Sequence, residues 1–227
     1  MSDASSSDWE KWFLAVWEDR EERVYRQLFG DIGGKIHTIP PALFHNLGEK
    51  DIDPRWTTHG VFECPPYGAR KHFTYVSSAL SNPWGIRPEQ ARASQPSGLG
   101  FELILETPDQ ARWAVTTLHW LMAVQILAAS GKLKGETVFV GARVPLFTSI
   151  NPQNPDSLLR NLLIAEPVCY PKRFPLASGY VELFQCVGVT DREMEFCRDR
   201  DAAELVRILQ ENTKYPLTDE KRGSCVN

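Results

Sequence analysis

The sequence predicts an α+β fold: a mixed, largely antiparallel sheet with a long buried helix packed on one face. Three observations carry that prediction. The segments Lys71–Ser81 and Gly98–Glu106 are rich in aromatic and β-branched residues, as half-buried strands are. From Thr107 to Ser130, apolar residues including Trp113, Leu118, Leu121, Met122, Ile126 and Leu127 point almost all round a helix axis. Such a helix is buried on most of its surface. The second strand also runs directly into the helix, which places the helix on the sheet that holds both strands.

The helix has signals at both ends. Thr107 is placed to cap it, Pro108 suits the first helical position and Gln110 completes a capping box. Gly131 fits the left-handed residue that ends a helix. Arg112, His119 and Gln125 interrupt its apolar surface. A membrane span needs ~20 mostly apolar residues, so no membrane partner is expected.

In chain order, residues 1–7 are small and polar and read as a disordered arm. They have neither a basic region nor an apolar core, so no secretory signal is expected and the cytoplasm is the expected compartment. Ser7 or Asp8 then starts a helix that runs to about Phe29 and closes at Gly30. Its stripe is Trp9, Trp12, Phe13, Val16, Trp17, Val24 and Leu28, at steps of three and four. Lys35–Ile39 reads as a short strand, and residues 41–57 as irregular. His59–Cys64 reads as a strand forming a hairpin with Lys71–Ser77. Beyond the long helix, Glu136–Val140 and the second half of Leu158–Val168 read as strands. Pro167, Pro171 and Pro175 mark a loop, and the nearly all-apolar Tyr180–Val187 reads as a central strand. Thr190 and Glu193 form a capping box for a short helix, and Asp201 opens a last helix to about Gln210. No internal repeat or flexible linker divides the chain, so one domain is expected over residues 8–224.

The chemistry is expressed mostly as exclusions. The formal charge is −4 and the basic residues are scattered, so nucleic acid is not an expected partner. The five cysteines are odd in number and lack C-x-x-C spacing, and the five histidines lack ligand spacing, so neither a metal nor a cofactor is expected. No hydrolase, metalloprotease or phosphate-loop motif occurs, and the expectation is that the protein is not an enzyme. Glu102, flanked by apolar residues, reads as facing water from the polar side of its strand. The minor alternative is a hydrolase using Cys64, His59 or Glu102.

Five segments, in order, carry a resemblance. They are Thr74–Ser81 (TYVSSALS), Gly98–Leu103 (GLGFEL), Gly135–Val138 (GETV), Leu183–Thr190 (LFQCVGVT) with Glu193 after it, and Pro216–Asp219 (PLTD) followed by Arg222–Ser224 (RGS). In these segments the chain resembles the Suppressor of fused family. It departs from the family in having Ala79 where a glycine is usual, which implies a different turn there. Glu136 stands where aspartate is common. The animal proteins carry a further domain beyond the point matched by Ser224, so the resemblance implies the short, single-domain form typical of bacteria.

The resemblance implies a non-enzymatic protein-binding domain. Its most concrete form is an immunity protein that neutralises a toxin of a polymorphic toxin system. The alternative it leaves is a regulatory or scaffold domain that binds a peptide at a sheet edge. The partner is expected to be a protein or peptide, with Trp84, Arg87 and Glu136 as contact residues. Trp84 and Arg87 lie in the loop Asn82–Ser97, which is long for a compact domain, and they belong to residue types enriched at binding hot spots. The competing reading of that loop is a connector whose Trp84 packs on its own domain.

Overall fold

The structure, a computed structural model, describes residues 3–198 and 200–226, with side chains from residue 8 onward. Met1 and Ser2 of the arm expected at residues 1–7 lie outside it. An eight-stranded open sheet organises the chain. The strands are β1 (His37–Thr38), β2 (Gly60–Cys64), β3 (Phe73–Ser78), β4 (Pro96–Thr107), β5 (Arg143–Pro145), β6 (Leu159–Ala165), β7 (Arg173–Leu176) and β8 (Gly179–Thr190). Their order is β1-β2-β3-β4-β8-β6-β5, and β7 pairs with the first part of β8. Every pairing is antiparallel except β4 with β8, which is parallel. The central position expected for the apolar strand is therefore the one β8 holds.

One face of the sheet carries the long helix. Among the described residues five shorter α-helices precede or follow it: α1 (Asp3–Glu18), α2 (Arg26–Phe29) and α3 (Pro41–Asn46) come before, and α5 (Asp191–Phe196) and α6 (Ala202–Asn212) after, with the long α4 spanning Arg112–Ala129. Trp113, Leu118, Leu121 and Met122 of α4 pack with Tyr75, Leu103, Leu105, Leu162 and Phe184 of the sheet. The helix starts later than its local signals imply. Thr107 donates its hydroxyl to Asp109 O at 2.6 Å instead of capping, and Ala111 N donates to Tyr75 Oη at 2.7 Å. The exit follows the sequence signal. Gly131 takes φ +72°, Lys132 N donates to Leu127 O at 2.8 Å and Gly131 N to Ala128 O at 3.0 Å. That pair of bonds is a Schellman closure.

The N-terminal helix covers the other face. It is continuous from α1 through a π-helical stretch, Asp19–Tyr25, into α2, and ends at Gly30 with φ +74°. Val16, Arg20, Val24, Tyr25 and Phe29 are buried, at steps of four and five as a wider π turn allows. Val16, Val24, Tyr25 and Phe29 pack on Phe62, Val76, Ile104 and Leu183. At the far end α5 and α6 close over the sheet, with Leu205 and Leu209 against Leu163, Val187 and Val189.

Three local expectations are corrected. The stretch expected as irregular, residues 41–57, holds α3 with a proline in its first turn and a 3-10 turn, Pro54–Thr58, capped by Asp53. Glu136–Val140 is not a strand; the edge strand is β5 at Arg143–Pro145, held by Arg143 opposite Leu163. The loop expected around Pro175 contains β7, which buries Phe174 and Leu176 and turns Pro175 outward on an edge, where a missing N–H costs no ladder bond.

Candidate functional site

The loop that holds Trp84 and Arg87 rises from a buried polar network. Arg20 has no solvent exposure, and it donates to Ser78 Oγ at 3.0 Å, Ser81 Oγ at 3.1 Å and Asn82 Oδ1 at 2.6 Å. Glu102 is equally buried, which corrects its reading as a water-facing residue. Its carboxylate accepts from Ala79 N at 3.1 Å, Ser81 N at 2.9 Å, Ser81 Oγ at 2.6 Å and Ser77 Oγ. Burial pushes the Glu102 carboxyl up, against the opposing pull of Arg20 and the serine donors.

That network explains the turn at Ala79. The residue keeps a φ of +94°, so the glycine-type turn survives although the side chain is alanine. Glu102 holds the turn by binding the N–H of Ala79 and of Ser81. A non-glycine residue in this region carries roughly 1–3 kcal/mol of strain. Ala79→Gly is therefore expected to stabilise the fold by about 1 kcal/mol after the added freedom of the unfolded chain. Urea unfolding checks this, and a destabilised variant overturns it. Gly98 serves the same loop. It lies under its start at φ +57°, where an added Cβ would come within 2.5 Å of Asn82 O and 2.7 Å of Leu80 O.

Trp84 packs on its own domain. Its ring centroid lies 4.3 Å from that of Phe13 and 6.1 Å from that of Trp9, and the Arg55 guanidinium sits 5.6 Å from it. Trp9 Nε1 donates to Ile86 O at 2.8 Å, which fastens the loop to α1. Trp84 also walls a cleft of about 260 Å³, together with Trp56, His59, Leu80, Asn82, Leu99, Ile126 and Ala129. Arg87 is exposed and opens a 3-10 turn, Pro88–Gln90, outside that cleft. Glu136 is exposed in the segment before β5 and does not line the cleft either. Of the three expected contact residues, only Trp84 lines that cleft.

Around Glu136 a second surface appears. Strand β5 pairs with β6 on one side and ends the sheet on the other. Four large apolar residues stand exposed beside it: Phe139 at 59%, Val140 at 45%, Phe147 at 87% and Leu158 at 53%. Phe147 also has a φ of +61°, uncommon for an aromatic residue. No sequence signal distinguished these residues from strand or loop positions; all four lie in the segments flanking β5 and β6.

The residues of the hydrolase alternative do not converge. Cys64 is buried among Phe62, Val76 and Phe29, and burial pushes its thiol up to about 12. An activated cysteine has its pKa lowered. Burial holds His59 down at about 4, and its Nδ1 lies 3.0 Å from Arg55 O. Among the described residues there is no group of three or more potential metal ligands, and no helix is long and apolar enough to cross a membrane.

Several motif residues are explained by contacts across the fold. Gly188 lies where a Cβ would meet Thr218 Cγ2 at 2.6 Å, and its N–H donates to Thr218 Oγ1 at 3.0 Å. Arg222 binds both oxygens of Glu193, at 2.6 and 2.7 Å. The family model described as Suppressor of fused protein (SUFU) matches residues 55–223, about three quarters of the chain. The chain belongs to the Suppressor of fused family. Its fold is similar to that of a SUFU homologue from Neisseria gonorrhoeae, with a TM-score of 0.61 at 18% identity, over 97% of this chain and 98% of that one. It is also similar to a chain of the Sufu–Fu complex, with a TM-score of 0.57 at 18% identity, over 84% and 93% of the two chains. Drosophila Suppressor of Fused matches with a TM-score of 0.57 at 20% identity, over 74% of this chain. The match spans 42% of the Drosophila chain. No match was found among curated protein sequences.

Within this SUFU fold, Arg20 is the central residue that sequence reasoning missed. It falls four residues from both Val16 and Val24, in line with the buried stripe, and that spacing was the available signal.

Proposed function

We propose that this SUFU-family chain is a non-enzymatic protein-binding domain that takes up a partner segment along the β5 edge. The observation that carries this reading is the row of exposed apolar residues, Phe139, Val140, Phe147 and Leu158, beside an unpaired strand edge. An open edge offers main-chain hydrogen bonds to an extended peptide, and flanking apolar side chains supply pockets and contact area. Glu136 adds an exposed carboxylate three residues before Phe139 in the same segment. The Sufu–Fu complex supports the reading by analogy, since a chain of the same fold is there part of a complex.

In the finer reading, the protein is a cytoplasmic immunity protein of bacterial type, and its partner is a toxin domain. Membranes, nucleic acid and cofactors play no part in this function.

The test is a pull-down from the native host with the wild-type chain and with a Phe139→Asp/Phe147→Asp variant. Wild type is expected to retain a specific protein. The variant is expected to lose it by more than tenfold with its melting temperature nearly unchanged, because both side chains are solvent-exposed. Undiminished capture by the variant rules out the β5 edge. If the captured protein is a toxin domain, its activity is expected to fall on binding.

A further inference from the structure

The sheet has a second free edge, at β1. His37 stands opposite Val61 and Thr38 opposite Gly60, and among the described residues no strand lies on the other side of β1. Ile39 N donates to His59 O at 2.9 Å and extends the pairing with the segment before β2. The edge is also tied to α4. His119 Nε2 lies 2.6 Å from His37 O, and a carbonyl only accepts, so the imidazole donates. Burial holds His119 below its ordinary value, which keeps it uncharged at neutral pH. An edge anchored in this way needs little ordering before a partner docks.

A groove of about 860 Å³ opens between this edge and the start of α4, lined by Lys35, Thr38, Glu63, Arg112, Thr116 and His119 among others. Its charges do not balance. Lys35 and Arg112 are exposed, and neither has an ion-pair partner among the described residues. Glu63 is the single carboxylate among the described lining residues, and Gln110 Nε2 already donates to it at 2.6 Å. Two cations thus face one occupied carboxylate, on a chain whose formal charge is −4. A free strand edge offers main-chain donors and acceptors to an extended peptide, and flanking side chains select its sequence. Here the flanking side chains select negative charge.

We propose that the β1 edge binds an extended acidic segment of a partner protein. The segment pairs its main chain with the free side of β1 and lays its carboxylates against Lys35 and Arg112. This site is independent of the β5 edge and of any partner that docks there.

Short acetylated and amidated peptides test it on the full-length, ¹⁵N-labelled protein by NMR. One alternates glutamate with threonine; in two others glutamine or lysine replaces the glutamate. The glutamate peptide is expected to move the amide signal of Thr38 and to leave that of Val144, in β5, in place. It should bind at least about fivefold tighter than the glutamine peptide, and the lysine peptide should bind least. Added salt should weaken the glutamate peptide selectively. N-methylation of alternate residues separates strand pairing from charge attraction alone. In one of its two frames it should weaken binding about threefold or more, and in the other it should have little effect. Lys35→Gln/Arg112→Gln, at two exposed positions, should abolish the preference for glutamate over glutamine with the melting temperature nearly unchanged. Equal binding of the glutamate and glutamine peptides overturns the proposal, as does an undiminished preference in the double variant. Equal effects of N-methylation in both frames, or full displacement by millimolar inorganic phosphate, overturn it in favour of a small-anion site. A Thr38 signal that stays in place at millimolar glutamate peptide overturns it as well. If the double variant fails to fold, the peptide series on the native protein still decides.

Discussion

Arg20→Met is expected to lower the stability of the fold by about 3–5 kcal/mol. The guanidinium is fully buried and answers three side chains, Ser78, Ser81 and Asn82, while Glu102 sits across Ser81 from it. Removing it leaves a buried carboxylate without its nearest buried cation. Burial already pushes the Glu102 carboxyl up, and losing Arg20 pushes it further. The variant's folded state then holds a proton that its unfolded state releases. Its stability is accordingly greatest at pH values below the unfolded carboxylate pKa and falls as pH rises towards the folded value. Urea unfolding across pH 4–8 reads both effects. Adding Glu102→Gln to Arg20→Met should recover part of the loss and flatten the pH slope, because the two residues share one network. A cost under 1 kcal/mol with strictly additive changes would falsify this account of the network.

The same network shows where the sequence was legible and where it was not. Alternation identified β2, aromatic and β-branched content β3 and β4, and a nearly all-apolar run β8, while local chemistry identified the Thr190–Glu193 capping box and the Gly131 exit. In each case the deciding contacts lie within a few residues: Thr190 N donates to Glu193 Oε2 at 2.8 Å and Glu193 N to Thr190 Oγ at 3.2 Å. Arg20 escaped because its partners are 58 to 62 positions away. The start of α4 was misplaced for a similar reason. A good local box at Thr107 lost to a tertiary bond, Ala111 N to Tyr75 Oη. Residues 136–140 are rich in β-branched and aromatic side chains as a strand is, yet β6 pairs instead with residues three positions and more along the chain, where Val144 meets Leu162.

The candidate site divides in the same way. The length of the Trp84 loop was visible in sequence, but the direction of its tryptophan depended on Phe13 and Trp9, more than seventy residues earlier. Ala79 was expected to alter its turn. It does not, because Glu102 binds the turn's N–H groups whatever side chain is present.

Arg222→Met is expected to cost about 3–5 kcal/mol at pH 7 and to remove an acid-sensitive part of the stability. Arg222 grips both oxygens of Glu193 and also donates to Gly188 O at 2.8 Å, which pins the C-terminal segment to β8. Glu193 further accepts from Thr190 N at 2.8 Å and from Cys225 N at 3.0 Å. Burial by itself would raise the Glu193 carboxyl, but the Arg222 bonds, the Cys225 bonds and the Arg222 charge outweigh it and hold the group at about 2. A carboxyl depressed on folding adds stability that is complete above the unfolded value, 4.5, and is lost as pH falls through the folded value. Each pKa unit corresponds to about 1.4 kcal/mol, so the wild type should lose roughly 3 kcal/mol from this group between pH 5 and pH 2. In Arg222→Met only the Cys225 bonds still oppose burial and the depression shrinks, so the variant starts lower at pH 7 and has a shallower acid slope over the same window. Urea midpoints at pH 7, 5, 4 and 3 separate the two chains. Parallel slopes would show that Glu193 does not owe its ionised state to Arg222, and an unchanged midpoint at pH 7 would show that the ion pair does not hold the C-terminal segment in place.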